Sequence, residues 1–284
     1  MSKTLLFFGF GKISKAIIKG FINHGNVNAS DIYVYSRNQP AVKELGCTPL
    51  VDNPAADITK SCVIAFICVK PGQFSSIVKP MISCLQKYSG GCIISVMAGV
   101  TLQTLKGAFD SLVKFSIVRT IPNLAVEFGK GVWAWTSAKE SDGDDIIDIL
   151  GLVSFAPFVE EKDIDTVCAL SGSGIAYLIA IVEAMKNAAV FNGMNANLAR
   201  KITRETMIGC GTLLKFSEAH PNQIIDDISS PGGTTIHGLT ELQRGNTNNA
   251  ILNAINAAVR RGREISTIHR GFDPSNEDED EVVK

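Results

Sequence analysis

Short apolar runs and helical patterns alternate along the first half of the chain. Four or five consecutive apolar residues predict a buried strand, and the segments between the runs carry apolar residues at helical spacing. The predicted strands are Thr4–Phe8, Ile32–Tyr35, Val63–Ile67, Cys92–Val96, Phe115–Arg119 and Val132–Thr136, after which a helix at Asp144–Val153 and the run Phe155–Val159 complete this half. Strands that alternate with helices predict a parallel sheet, so we expect a doubly wound α/β domain.

The pattern changes after Glu161. Apolar stripes at helical spacing predict long helices over about 165–191, 195–218 and 247–267, with two shorter helices between them and no convincing strand. We therefore expect a sheet domain at 1–162, an all-helical domain at 163–270 and an acidic, disordered tail at 271–284. The apolar faces of these helices exceed what the helices can hide alone, which predicts a homodimer formed through the helical domain.

Composition and charge narrow the range of partners. The 284 residues include 27 Lys and Arg against 28 Asp and Glu, giving a net charge of −1. Without a basic field we expect no nucleic acid and no membrane as partner, but a small neutral or anionic metabolite. The seven cysteines form no C-x-x-C pair and no cluster with histidine at metal-ligand spacing, so we expect reduced thiols and no metal.

Two further expectations concern location. The first predicted strand begins within a few residues of Met1 and leaves no room for a signal peptide, which predicts a cytoplasmic protein. The most apolar run, Val167–Val182, contains Ser-Gly-Ser-Gly and is shorter than the roughly 20 residues that a membrane span needs. We interpret it as a buried helix.

A glycine turn follows the first predicted strand and opens a helical pattern. In a Rossmann-type unit the first glycine makes the tight turn, the second lets the backbone approach the pyrophosphate, and a third small residue allows close packing of helix on strand. Gly9 and Gly11 fill the first two places, and Ser14 fills the third in a slightly weakened form of the motif. The candidate cofactor contacts in this turn are Gly9, Phe10, Gly11, Lys12, Ile13 and Ser14.

The end of the second predicted strand indicates which dinucleotide binds. An acidic residue there would accept the ribose 2′-hydroxyl of NAD, whereas this chain has Ser36-Arg37-Asn38. A hydroxyl, a guanidinium and an amide suit a 2′-phosphate, so NADP(H) is the preferred cofactor and NAD(H) is the alternative.

A polar glycine loop, Ser229–Leu239, separates two of the predicted helices. A helix over Pro221–Ile228 must end before Pro231, and a new helix begins near Thr234. Glycine exposes backbone N–H groups, hydroxyls surround them, and the first turn of the next helix adds unpaired donors and a positive dipole. The loop is therefore typical of a receptor for a small carboxylate, with Ser230, Gly232, Gly233, Thr234 and Thr235 as candidates.

Each of these features also has a purely structural interpretation. Gly9–Ser14 would then be an ordinary strand-to-helix turn, Arg37 a solvated arginine, and the loop a helix connection with glycine and threonine caps. Three further loops fall at carboxyl ends of predicted strands, where ligands bind in such sheets. They are Val69-Lys70-Pro71, Met97-Ala98-Gly99-Val100 and Ile121-Pro122-Asn123, and Lys70 fits either a ligand contact or a solvated lysine.

Taken together, the motifs resemble those of the pyrroline-5-carboxylate reductase family from end to end, apart from the acidic tail. The glycine loop carries the resemblance most strongly. Ala169–Gly174, Val69-Lys70-Pro71, Ala98-Gly99-Val100 and Pro122-Asn123 match the family in order and spacing. The resemblance implies reduction of 1-pyrroline-5-carboxylate to L-proline by NAD(P)H, in a Rossmann domain followed by a helical dimerisation domain, often assembled into a ring of dimers such as a decamer.

The resemblance also implies roles for single residues. The loop binds the substrate carboxylate, and Thr235 matches a threonine that hydrogen-bonds the ring nitrogen and is our candidate catalytic residue. Other substrate contacts implied by position are Glu161, Asp227 and Thr234. The implied cofactor contacts are Ser36, Asn38, Asn53, Cys68, Val69, Lys70, Pro71, Val96, Met97 and Ala98.

The chain departs from the family pattern at Leu124-Ala125, where Thr-Pro is usual, and at Ile175, where proline is usual. Two other functions stay open from the sequence. A hydroxyacid dehydrogenase with the same two domains would need a general base, typically a lysine at the start of the first long helix of the second domain. Here that position is Ser171–Ile175, which contains no lysine, and the next lysine is Lys186. A non-catalytic NADP(H) sensor would keep the fold without turnover, and the complete glycine loop disfavours it.

Overall fold

The computed structural model describes residues 4–50, 63–138 and 144–268. The strands are β1 (Thr4–Phe8), β2 (Ile32–Tyr35), β3 (Thr48–Leu50), β4 (Val63–Ile67), β5 (Gly91–Ser95), β6 (Phe115–Pro122), β7 (Gly131–Ser137) and β8 (Ser154–Phe155). The helices are α1 (Lys12–Asn23), α2 (Gln39–Lys43), α3 (Phe74–Leu85), α4 (Leu102–Ala108), α5 (Asp144–Leu150), α6 (Ile164–Val167), α7 (Gly174–Phe191), α8 (Ala196–Phe216), α9 (Pro221–Ile228), α10 (Thr234–Arg244) and α11 (Thr247–Ile268).

The strands of the described chain form one sheet in the order β3-β2-β1-β4-β5-β6-β7-β8. The strands from β1 to β6 pair in parallel, and the order reverses direction between β1 and β4. The prediction of a doubly wound sheet is therefore confirmed. Two details differ, since β7 runs antiparallel to β6 and the short strand β3 was not predicted. The segment Ile121-Pro122-Asn123, expected as a loop, begins inside β6, because Ile121 and Pro122 pair with β7.

Side-chain alternation along the strands divides the core between the two faces of the sheet. Leu5 and Phe7 point to the face covered by α1, while Leu6 and Phe8 point to the face covered by α3 and α4. The rings of Phe7 and Phe66 stack across neighbouring strands with their centroids 4.5 Å apart. Because both faces of the central strands are buried, these strands appear in the sequence as continuous apolar runs.

The chain divides into two compact units. Of the described residues, the first contains those up to Gly172 together with those from Ala258 to Ile268, and the second contains Ser173–Ala257. The C-terminal part of α11 thus belongs to the sheet-bearing unit.

The second unit is helical, and its apolar side chains are largely exposed in the single chain. Gly174 is the one buried residue among the described residues of α7, whereas Ile179 is 61% exposed. The expectation that Val167–Val182 forms a buried helix is therefore wrong for the isolated chain. The stretch Glu161–Phe191 also has the length and composition of a membrane span, a test that core helices of soluble proteins pass as well. An apolar face of this size requires a covering partner.

Candidate active site

The carboxyl ends of four parallel strands meet at the point where the strand order reverses. The Gly9 N–H donates to the Tyr35 carbonyl at 3.0 Å, and the Cys68 N–H donates to the Phe8 carbonyl at 2.8 Å. On the other side, the Val96 N–H donates to the Ile67 carbonyl at 3.1 Å. The structure therefore brings together the residues after β1, β2, β4 and β5, which is where open α/β sheets bind dinucleotides.

The glycine turn between β1 and α1 has the geometry that its sequence predicts. Gly9 has a φ of +106°, which disfavours any side chain. Gly11 precedes α1, and among the described residues beyond its two chain neighbours no atom lies within 4 Å of the position that a β-carbon would take there. Ser14 is buried and its hydroxyl donates to the Gly11 carbonyl at 3.0 Å. An open backbone at the N-terminus of a twelve-residue helix suits a pyrophosphate.

Three of the other residues of the turn border this opening. Phe10 and Ile13 are half-buried and Lys12 is exposed. The ammonium group of Lys15 lies 4.9 Å from the centre of the Phe10 ring. The turn therefore presents backbone donors with a cationic rim, and we find no acidic side chain between Gly9 and Ser14.

The residues after β2 form a tight turn that leaves a guanidinium at its outer side. The Asn38 N–H donates to the Ser36 hydroxyl at 3.1 Å, and the Asn38 side-chain oxygen accepts from the Ala41 N–H and so caps α2. Arg37 between them is exposed. The turn thus fixes both neighbours of Arg37 and leaves this cation exposed at the end of β2.

The segments after β4 and β5 differ in character. Cys68 is buried, and burial raises the pKa of its thiol, so the side chain stays neutral and contributes packing rather than a nucleophile. Val69 is half-buried, Lys70 is exposed, and Pro71 begins a short 3₁₀ turn. After β5, Val96 and Ala98 are half-buried and Met97 is buried. The predicted contact Asn53 lies outside the described residues.

The glycine loop belongs to the second unit and has an open helix N-terminus. The Ser229 hydroxyl donates to the Ile225 carbonyl at 2.7 Å and closes the end of α9. The Gly233 N–H donates to the Ser230 carbonyl at 3.0 Å across a turn in which Gly232 has a φ of +67°. No side chain caps α10, all of whose residues are described, so the first N–H groups at Thr234 and Thr235 remain available to an anion.

Two predicted substrate residues already have partners within their own unit. Asp227 accepts from the Gln223 side-chain amide at 2.8 Å, one turn earlier on α9. Glu161 accepts from the Leu102 N–H at 2.7 Å and from Arg119 at 3.3 Å, both in the first unit. Thr235 is half-buried in the first turn of α10.

Arg119 and Asp165 are charged residues to which the sequence motifs assign no role. Arg119 lies in β6 with 2% of its side chain exposed, and its guanidinium donates to Asp165 at 2.7 Å. The sequence does contain one indication of this pair: Arg119 is a single arginine within a strand. A charge buried in a strand requires a partner of opposite charge. We find no group of three His, Cys, Asp or Glu side chains suited to a metal among the described residues.

Comparison with known proteins agrees with this arrangement. A family model described as pyrroline-5-carboxylate reductase dimerisation matches residues 161–265, and one described as NADP oxidoreductase coenzyme F420-dependent matches residues 4–99. The chain is 31% identical to pyrroline-5-carboxylate reductase 3 of Xenopus laevis over 263 residues, covering 90% of this chain and 94% of that one. The chain belongs to the pyrroline-5-carboxylate reductase family.

Other members of the family agree in sequence and in structure. The enzyme of Methanosarcina acetivorans is 32% identical over 271 residues, covering 91% of this chain and 96% of that one. The structure of the Coxiella burnetii reductase has a TM-score of 0.80 at 26% identity, covering 94% and 99% of the two chains. The Plasmodium falciparum reductase with NADP bound has the same fold, with a TM-score of 0.80 at 24% identity and coverage of 93% and 98%.

Proposed function

We propose that this protein reduces 1-pyrroline-5-carboxylate to L-proline, with NADPH as the preferred hydride donor and NADH as an alternative. The observation that carries the proposal is the open N-terminus of α10 behind the glycine loop, in a family member whose first unit has a Rossmann glycine turn. Reduction of a cyclic imine that carries a carboxylate needs an anion-binding site, a hydride donor and a proton near the ring nitrogen, but no strong base.

The first unit fits the cofactor at three places. The open backbone at Gly11 and the N-terminus of α1 suit the pyrophosphate, and the exposed Arg37 suits the 2′-phosphate. The neutral residues after β4 and β5 suit the nicotinamide ribose end, because ligands lie beyond the carboxyl ends of the strands at the switch point. When bound, NADPH supplies the hydride.

The second unit supplies the binding site for the substrate carboxylate. The N–H groups of Thr234 and Thr235 and the hydroxyl of Ser230 bind the carboxylate. Gly232 borders open space, and the absence of a side chain at Gly233 leaves room for the Ser230 hydroxyl. The Thr235 hydroxyl orients the ring nitrogen. A threonine hydroxyl is too weak an acid to deliver the proton alone, so water or an already protonated imine is its source.

The position of the first lysine on the long helix disfavours the hydroxyacid dehydrogenase alternative. Residues 171–175 hold no lysine, and Lys186 lies about three turns further on, where it pairs with Glu183 on the same helix. Residues 171–175 therefore offer no ammonium group to act as general base.

We propose that a second subunit covers the exposed apolar faces of the helical domain. The helical domain, residues 163–270, forms a homodimer through the apolar faces of α7 and α8, and dimers assemble further into a ring such as a decamer. Each large apolar side chain buried in this way contributes roughly 1.5–3 kcal/mol. A partner subunit that covers these faces leaves no apolar face that needs a membrane. The net charge of −1 disfavours a nucleic-acid partner, so we propose a soluble, cytoplasmic enzyme.

The deciding experiment is a steady-state assay of the purified protein with pyrroline-5-carboxylate and each cofactor. NADPH oxidation with formation of proline, identified by mass spectrometry, is expected. If the protein binds NADPH but shows no turnover at saturating substrate, the reductase hypothesis is refuted and the NADP(H) sensor hypothesis is favoured. Reduction of NADP⁺ by a series of 2-hydroxy acids, with no activity toward the imine, would favour the dehydrogenase.

A further inference from the structure

The ion cluster formed by Arg119, Glu161 and Asp165 lies beside the segment that follows β5. Arg119 is buried in the sheet, and its Nε has no hydrogen-bond partner among the described residues. The two terminal nitrogens of its guanidinium pair with carboxylates, Asp165 at 2.7 Å and Glu161 at 3.3 Å, which balance the charge. A buried cation without such partners would be strongly destabilising.

The two carboxylates differ in their second contact: Asp165 accepts from the Ser266 hydroxyl of α11 at 3.5 Å, whereas Glu161 contacts α4. The same oxygen that faces Arg119 accepts from the Leu102 N–H at 2.7 Å, at the first residue of α4. Thr101 caps this helix by accepting from the Thr104 N–H at 3.1 Å, so the Leu102 donor is left for Glu161. A carboxylate at a helix N-terminus is stabilised by the N–H group and by the helix dipole.

Glu161 therefore holds one end of residues 96–101, which we call the β5–α4 segment. Its other end is tied to the sheet, where the Val96 N–H donates to the Ile67 carbonyl. In the middle, Gly99 has a φ of +76° and lies against α11, since a β-carbon at Gly99 would come within 2.4 Å of Ile265. Val96, Met97 and Ala98 of this segment are the residues expected to contact the cofactor.

We infer that Glu161 is a positioning residue for the cofactor: by holding the N-terminus of α4 against buried Arg119, it fixes the β5–α4 segment in the shape that binds NADPH. The inference rests on the proposed NADPH site. It also assigns Glu161 a role different from the substrate contact implied by resemblance. Small displacements of positioned groups change rates strongly, so loss of this contact has an effect at the cofactor site.

The test compares variants that remove different contacts of the same cluster. Glu161→Ala removes both the ion pair and the Leu102 contact, whereas Glu161→Gln keeps an oxygen acceptor for the Leu102 N–H. Asp165→Asn is the matched control, because it breaks the shorter ion pair and leaves Leu102 untouched. NADPH dissociation constants from fluorescence titration are compared with melting temperatures for each variant.

We expect Glu161→Ala to weaken NADPH binding by about tenfold, the scale of one charge-assisted hydrogen bond. Glu161→Gln should recover most of this affinity, and Asp165→Asn should lower the melting temperature with less than about a twofold change in NADPH affinity. If the loss of NADPH affinity is proportional to the fall in melting temperature in all three variants, the cluster has a purely structural role and the inference is wrong. A raised KM for pyrroline-5-carboxylate with unchanged NADPH affinity would make Glu161 a substrate contact instead.

A second pair of variants tests the contact from the other side and does not depend on Glu161→Ala folding. Leu102→Pro removes the N–H that Glu161 accepts from, and proline is well tolerated at the first helical position. The preceding Thr101 is already extended, as a residue before proline requires. Leu102→Ala removes the same side chain and keeps the N–H. NADPH binding weaker in the proline variant supports the inference, and equal binding overturns it. Failure of the parent protein to bind NADPH would overturn the proposed function itself.

Discussion

The α-carbon of Gly9 lies so close to the backbone of Cys68 that a β-carbon at Gly9 would come within 2.7 Å of the Cys68 carbonyl oxygen. Gly9→Ala would therefore force apart the ends of β1 and β4, in addition to the roughly 1–3 kcal/mol cost of a strained backbone. We expect a clear fall in melting temperature and loss of NADPH binding. Gly11→Ala is the control, because its site is open: it should keep the melting temperature while weakening NADPH. Equal melting temperatures for both variants would contradict the close approach.

The order of elements could be predicted from the sequence because each depends on local patterns. Continuous apolar runs marked the buried strands. The proline at 221 marked the first residue of α9, and the glycines at 232–233 marked the start of α10. The strand β3 is three residues long and contains Pro49, so its pattern is too short to recognise. The antiparallel direction of β7 depends on pairing with β6, which no local pattern records.

The candidate site was predictable where a motif is contiguous and unpredictable where distant residues meet. The turn at Gly9 and the loop at Ser229–Leu239 are such motifs. The partners of Arg119 lie 42 and 46 residues away along the chain, so its pairing with Glu161 and Asp165 follows only from the folded sheet.

The second prediction concerns cofactor choice. Arg37 is exposed at the end of β2, and the residues there, Ser36-Arg37-Asn38, include no carboxylate that could accept from a ribose hydroxyl. Arg37→Ala should weaken NADPH by about 1.5–3 kcal/mol, the value of a hydrogen bond to a charged group, and should leave NADH binding nearly unchanged. Lys43→Ala removes an exposed cation from the neighbouring helix and serves as control for general electrostatics. Equal losses for both cofactors would remove Arg37 from the phosphate site.

The third prediction concerns assembly. Ile179 on α7 is 61% exposed in the single chain, and the proposed dimer covers this face. The protein should scatter light as a dimer or larger species, and Ile179→Asp should dissociate or precipitate it because a charge would be buried without a partner. Lys201→Ser on the exposed surface of α8 should leave the assembly intact. An active monomer of 30.4 kDa would refute the dimer.

The fourth prediction concerns alkaline stability. Burial raises the pKa of the Cys84 thiol to about 11, an effect that the nearby Lys87 partly opposes. As pH rises from about 8 to 11, the unfolded chain loses this proton first, so the folded state binds more protons and the free energy of unfolding falls. Cys84→Ala should flatten part of this decline in urea denaturation. Cys210→Ala, at an exposed position, should leave the slope unchanged; identical slopes for all three proteins would contradict the role of Cys84.

The last prediction concerns Thr235, in the first turn of α10. As hydride reaches the imine carbon, the ring nitrogen becomes an amine, and a hydroxyl within hydrogen-bond reach keeps the ring oriented while the nitrogen's proton is in place. Loss of such a bond typically costs about 10²-fold in rate. Thr235→Ala should therefore lower kcat/KM by that order and leave NADPH affinity and the oligomer unchanged.

Two further variants separate the hydroxyl of Thr235 from its backbone. Thr235→Ser keeps the hydroxyl and should retain much of the activity. Thr240→Ala removes a hydroxyl from the same helix that donates to the Ile236 carbonyl at 2.8 Å, so it should reproduce any general weakening of α10 without the loss in rate. If Thr235→Ala is as fast as the parent protein, the N–H groups at the start of α10 orient the substrate through its carboxylate alone.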